Sequence, residues 1–147
     1  MQLQSAPHGC GAAALCNALE AIGYRLTQDA AAKLCKTDAD GTSSVDIKKA
    51  LRVLGYAPEE WETPNRMAAW ALVCGYLLMG YPCLLCVDHQ DHWVVGIGLL
   101  GGLIVIVDSA DGGITSTWSR KAFLDRLSSG GKRPTYSGIA VQVRESQ

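Results

Sequence analysis

The chain has 147 residues, 48% of them hydrophobic and 18% charged, with a formal net charge of -1. That balance supports one domain spanning residues 1–147 and excludes a disordered chain. It also excludes nucleic acid as a partner, because Lys and Arg are scattered with no run longer than a pair.

Six cysteines raise the question of disulfides. No basic start and no apolar run precede His8, so no secretory signal is read, and Cys16, Cys35, Cys74, Cys83 and Cys86 sit in apolar stretches as small core residues do. A reducing, cytoplasmic compartment is expected. The longest apolar run, Met67 to Leu78, is interrupted by Gly75 and is too short to span a membrane.

In chain order, Cys10 to Ile22 predicts a first helix, with Leu15, Leu19 and Ile22 at helical spacing and Gly23 as its stop. Thr27 caps a second helix running to Leu34 or Cys35. A loop from Gly41 to Ser44 ends in a cap. It precedes a third helix with Val45, Ile47, Leu51 and Leu54 inward and Gly55 closing it. Thr63-Pro64 starts a fourth helix, with the proline early. Pro82 introduces a strand, Cys83 to Val87. Asp88 to Asp91 is a polar turn, and two apolar strands follow, Trp93 to Leu99 and Leu103 to Val107, joined by a glycine hairpin. Asp111-Gly112-Gly113 is another tight turn. Ser119 caps a short helix bearing Phe123, Leu124 and Leu127, and Gly138 to Val143 is the last strand. Helices in the first half and strands in the second predict an α+β fold, with a helical N-terminal half packed on an antiparallel C-terminal sheet.

The residues that carry chemistry begin with Cys10. A cysteine at a helix N-terminus meets unpaired N–H groups and the positive end of the dipole. Such a place lowers a thiol pKa from about 8.5 towards roughly 3.5–7.5 and so favours the nucleophilic thiolate. His92 heads an apolar strand and is preferred over His89, which stands in the polar turn. His92 shares a strand face with Val94 and Gly96, and the small Gly96 is expected to leave room for substrate. Asp108 ends the following strand. Antiparallel pairing about Gly101-Gly102 sets residues summing to about 203 opposite each other, so His92 falls near both Asp108 and Asp111, and spacing alone does not separate them. Gln4 stands six positions before Cys10, where its amide would serve as an oxyanion donor. Cys83 and Cys86 have half the spacing of a zinc site, but residues three apart on a strand face opposite ways, so neither metal nor any other cofactor is expected.

These features together resemble the papain-like cysteine peptidases that process bacteriocin leaders after a double glycine. The shared points are Gln4 with Cys10-Gly11, the Gly41-Thr42-Ser43 loop, Gly80-Tyr81-Pro82, His92-Trp93-Val94-Val95, Asp108 with Gly112, and Trp118 with Phe123. The resemblance implies Cys10 as nucleophile, His92 as base, Asp108 as its orienter and Gln4 in the oxyanion hole. It implies cleavage after small residues such as Gly-Gly in a peptide or protein tail. Family members are usually fused to a membrane transporter, and with no such segment read in this chain a free bacterial or phage enzyme is expected. Two rival functions keep the same fold: acyl transfer or deamidation with the same triad, and a non-catalytic module that binds glycine-rich tails.

Overall fold

The computed structural model describes residues 10–36, 42–89, 91–109 and 115–142. In chain order the elements are α1 (Cys10–Ala21), α2 (Gln28–Leu34), α3 (Ser44–Val53), β1 (Ala57–Thr63), α4 (Arg66–Leu78), β2 (Cys83–Val87), β3 (His92–Leu100), β4 (Leu103–Val107), β5 (Thr115–Ser119), α5 (Arg120–Leu127) and β6 (Tyr136–Gln142). The strands form one six-stranded sheet in the order β1-β6-β2-β3-β4-β5, antiparallel at every pairing. The fold is α+β, as the segregation of helices and strands predicts.

Alternation along the strands builds two cores, one on each face of the sheet. Leu84, Trp93, Val95, Ile139 and Val141 point to the face covered by α1, α2 and α3. Leu85, Val87, Val94, Ile104, Ile106 and Ala140 point to the other, covered by α4 and α5. The helical half therefore divides: its fourth helix crosses to the far face. α1 is apolar nearly all round, and residues 11–19 are all buried, so it sits inside the molecule with its N-terminus beside the sheet.

Caps set the helix starts. Thr27, Ser43, Asn65 and Ser119 each accept a hydrogen bond from the backbone N–H three residues on. Pro64 thus precedes the cap of α4 rather than opening its first turn. Val45, expected inward, is 52% exposed, because α3 turns Ile47, Ala50 and Leu51 to the core instead.

β1 and β5 are absent from the sequence expectations, and both are edge strands. β1 carries Pro58 and three glutamates, and β5 is four-fifths Ser and Thr with one Trp. Edge strands need apolar side chains on few positions and tolerate proline and charge, so the usual strand signal is weak there.

The β3–β4 hairpin carries a bulge. Near the turn, paired residues sum to 203, as in Leu100↔Leu103 and Gly98↔Val105; beyond it they sum to 202, as in Gly96↔Ile106 and Val95↔Val107. Ile97 is the extra residue, and it packs with Val95 and Trp93 on the α1 face. Gly96 faces the opposite core, where an added Cβ would lie 3.3 Å from Ile104 and 3.5 Å from Leu85. Its small size therefore serves packing, not room for substrate.

Gly138 shows the same tightness. A Cβ there would lie 2.7 Å from Trp61 Cζ2 and 3.0 Å from Leu85 Cδ2. Both neighbours are buried. Gly138→Ala is expected to destabilise the protein by about 1–3 kcal/mol through overpacking. A urea midpoint equal to that of the wild type would contradict this packing.

Candidate active site

Three elements converge on the site. Cys10 is the first residue of α1 and is half-buried. His92 is the first residue of β3, and Asp108 follows the last residue of β4. His92 Nε2 lies 2.6 Å from Asp108 Oδ1, a short charge-assisted hydrogen bond. Asp108 is nearly buried, at 4% exposure. With Nε2 engaged by the carboxylate, Nδ1 is the ring nitrogen left for the Cys10 thiol, which hydrogen-bonds to the His92 side chain.

The bulge explains how Asp108 reaches His92. Continuing the 202 register by one place sets Asp108 opposite Val94, so it is the diagonal neighbour of His92 two places away, within reach of a long side chain. Asp111 and Gln4 both lie outside the described residues.

The electrostatics follow from these contacts. The bond to His92 holds the Cys10 thiol below its usual range, and the backbone N–H groups of Trp93 and Gly11 add to this, while burial works the other way. His92 is raised to about 9, first by its bond to Cys10 and then by Asp108, again against burial. Both shifts move the pair towards the thiolate–imidazolium form. The other cysteines differ: burial pushes Cys16 up to about 11 and Cys35, Cys83 and Cys86 up to about 12. Cys83 and Cys86 lie on opposite faces of β2, with the two cores.

Gly11 and Trp93 join the helix start to the loop before α3. A Cβ on Gly11 would lie 2.6 Å from Thr42 Cβ, so Thr42 packs directly on the residue after the thiol. Trp93 Nε1 donates to the Thr42 carbonyl at 3.1 Å. His89 stands apart, with its ring 3.5 Å from the Ser129 carbonyl, and Asp88 is engaged by Arg126.

The model of the peptidase C39 family matches residues 1–126. The chain belongs to the peptidase C39 family. It is a cysteine peptidase, a hydrolase, and its fold is shared by solved peptidase domains. The peptidase domain of Streptococcus ComA, a bi-functional ABC transporter involved in a quorum sensing pathway, superposes with a TM-score of 0.75 at 20% identity, covering 97% of each chain. A double glycine motif protease from an AMS/PCAT transporter, in complex with the leader peptide, gives 0.68 at 18% identity, covering 95% of this chain and 89% of that one. The peptidase domain of Streptococcus mutans ComA gives 0.65 at 20% identity, covering 97% and 98%. No curated protein matches the sequence. Among the described residues, no helix is long and apolar enough to cross a membrane.

Residues beyond the sequence expectations also shape the site. Thr42 is a wall of it, and the Gly41-Thr42-Ser43 loop before a helix is the sequence signal for that segment. Cys86 lines the neighbouring cavity with Trp93, and so do Glu60 and Glu62. The signal for the two glutamates is the alternation of Glu60, Trp61 and Glu62, which is faint because β1 is a charged edge strand.

Proposed function

We propose that this cysteine peptidase cuts after small residues, Gly-Gly above all, in a leader peptide or protein tail. In this reading Cys10 is the nucleophile, His92 the acid and base, Asp108 its orienter and Gln4 an oxyanion donor. The observation that carries it is the 2.6 Å hydrogen bond between His92 Nε2 and Asp108, with the Cys10 thiol close enough to His92 for each to shift the titration of the other. The double glycine protease with its leader peptide, similar in fold, supports the substrate class.

The chemistry runs in two stages. The Cys10 thiolate attacks the carbonyl carbon, and the charge moves to the carbonyl oxygen, where the Gln4 amide and the Cys10 N–H donate. The tetrahedral intermediate collapses, the C–N bond breaks, and the leaving amine takes the His92 Nδ1 proton. Water then gives a proton to His92 and attacks the thioester, which returns the thiolate and releases the acid. Asp108 keeps the imidazole oriented throughout.

A panel of peptides varied at the two residues before the cut tests the specificity. Gly-Gly is expected to give the highest kcat/KM, and a preference for bulky residues would defeat the reading. The pH profile tests the pair. His92 keeps its proton up to about 9, so the rate is expected to fall as pH rises through that value. On the acid side it falls as Cys10 takes up a proton, at a pH below the usual thiol value of 9.0. Alkylation of Cys10 should show the same acid limb, and an alkylation rate that rises only above pH 9 would contradict the ion pair.

A further inference from the structure

A cavity of about 350 Å³ lies next to the start of α1, lined by Thr42, which packs on Gly11, and by Cys86, whose thiol feels the charge of Cys10. Its size is at the lower end of ligand pockets, roughly 300–1,000 Å³. Strand pairing creates it. β2 and β6 pair only at Cys83↔Ala140 and Leu84↔Ile139. Continuing that register would set Cys86 opposite Ser137, but the ladder stops short and both residues line the cavity. At one end is Trp93, whose backbone N–H bonds the Cys10 sulfur.

The other end is β1. Glu60 and Glu62 pair with Ile139 and Ser137, so alternation places both carboxylates on the cavity side. Glu60 is bonded to Lys48 at 3.1 Å. Glu62 makes no ion pair among the described residues. Trp93 and Ile139 supply an apolar floor between the sulfur and these carboxylates. A long basic side chain suits that layout, its methylene stem on the apolar floor and its charged head at Glu62.

We propose that this cavity is a substrate subsite for a lysine or arginine, selected by Glu62; the proposal rests on the reading of Cys10 as nucleophile. Three strand spacings separate β3 from β1, about 14 Å, which an extended peptide covers in about four residues. The basic residue therefore sits about four positions from the cut bond.

The test scans a single lysine, against norleucine, through positions two to six on each side of Gly-Gly in one parent peptide. At low salt the lysine is expected to raise kcat/KM roughly fivefold at one position near the fourth, the upper range for an exposed ion pair, and the gain should shrink in 0.5 M salt. Glu62 is exposed, so Glu62→Gln is compatible with folding. In that variant the lysine-to-norleucine ratio should fall to about one, and in Glu62→Lys it should fall below one. No lysine preference at any position, or one that survives Glu62→Gln, overturns the subsite. If none of the peptides is cut, the double-glycine reading fails separately. Binding of the same peptides to the Cys10→Ala protein, followed by tryptophan fluorescence, still decides: equal Kd for lysine and norleucine peptides overturns the subsite, and tighter lysine binding lost in Glu62→Gln supports it.

Discussion

Cys10→Ala is expected to reduce peptide cleavage to the assay floor, a loss of about 10⁶-fold if it follows nucleophile removal in other hydrolases. The basis is that Cys10, beside the raised His92, is the cysteine whose thiol is shifted downward, while the other five are shifted upward. The same substitution should abolish alkylation by iodoacetamide at pH 6.5. Cys16, Cys35, Cys83 and Cys86 have pKa values pushed up to about 11 or 12, and burial also raises Cys74. A mass spectrum of the briefly treated wild type should therefore show one adduct on six cysteines, at position 10. Cleavage by the alanine variant at the wild-type rate, or an adduct on another cysteine, would remove Cys10 from the chemistry.

The second large effect belongs to Asp108. Asp108→Ala removes the acceptor at 2.6 Å from His92 Nε2 and leaves a void in a nearly buried place. The ring then loses its fixed orientation, and the expected loss is about 10²–10⁴ in kcat. Asp108→Asn is expected to lose less, because its amide oxygen still accepts from Nε2–H. What it lacks is the negative charge that helps to raise His92. The alkaline limb of the asparagine variant should therefore move below 9, towards the ordinary histidine value of 6.5. The corresponding change at Asp111 separates the two aspartates: if Asp111→Ala costs more than Asp108→Ala, the orienting role belongs to Asp111.

Much of this architecture is legible in the residues. The bounds of β2 and β4 follow from apolar runs set off by Pro82, Gly102 and the polar turns. Thr27 and Ser119 cap where their side-chain chemistry says they should. What escapes is of two kinds. β1 and β5 lie at the sheet edges, where pairing on one side leaves composition almost free. The pairing of His92 with its aspartate depends on the bulge at Ile97, which shifts the register by one. The glycines on either side of Ile97 were the available signal, since a glycine inside a strand often marks such an irregularity. The expectation for Gln4 falls outside the described residues.

The bulge has a consequence for how this chain tolerates changes of length. Dropping Ile97 would leave Gly96↔Ile106 and Val95↔Val107 as they are, because the extra residue already stands outside the ladder. Dropping a residue between His92 and Gly96 would instead slide the imidazole about 3.4 Å along the sheet, away from its carboxylate. The stretch from residue 92 to 96 thus works as a ruler, and the far side of the hairpin is free to grow or shrink without disturbing the measured distance.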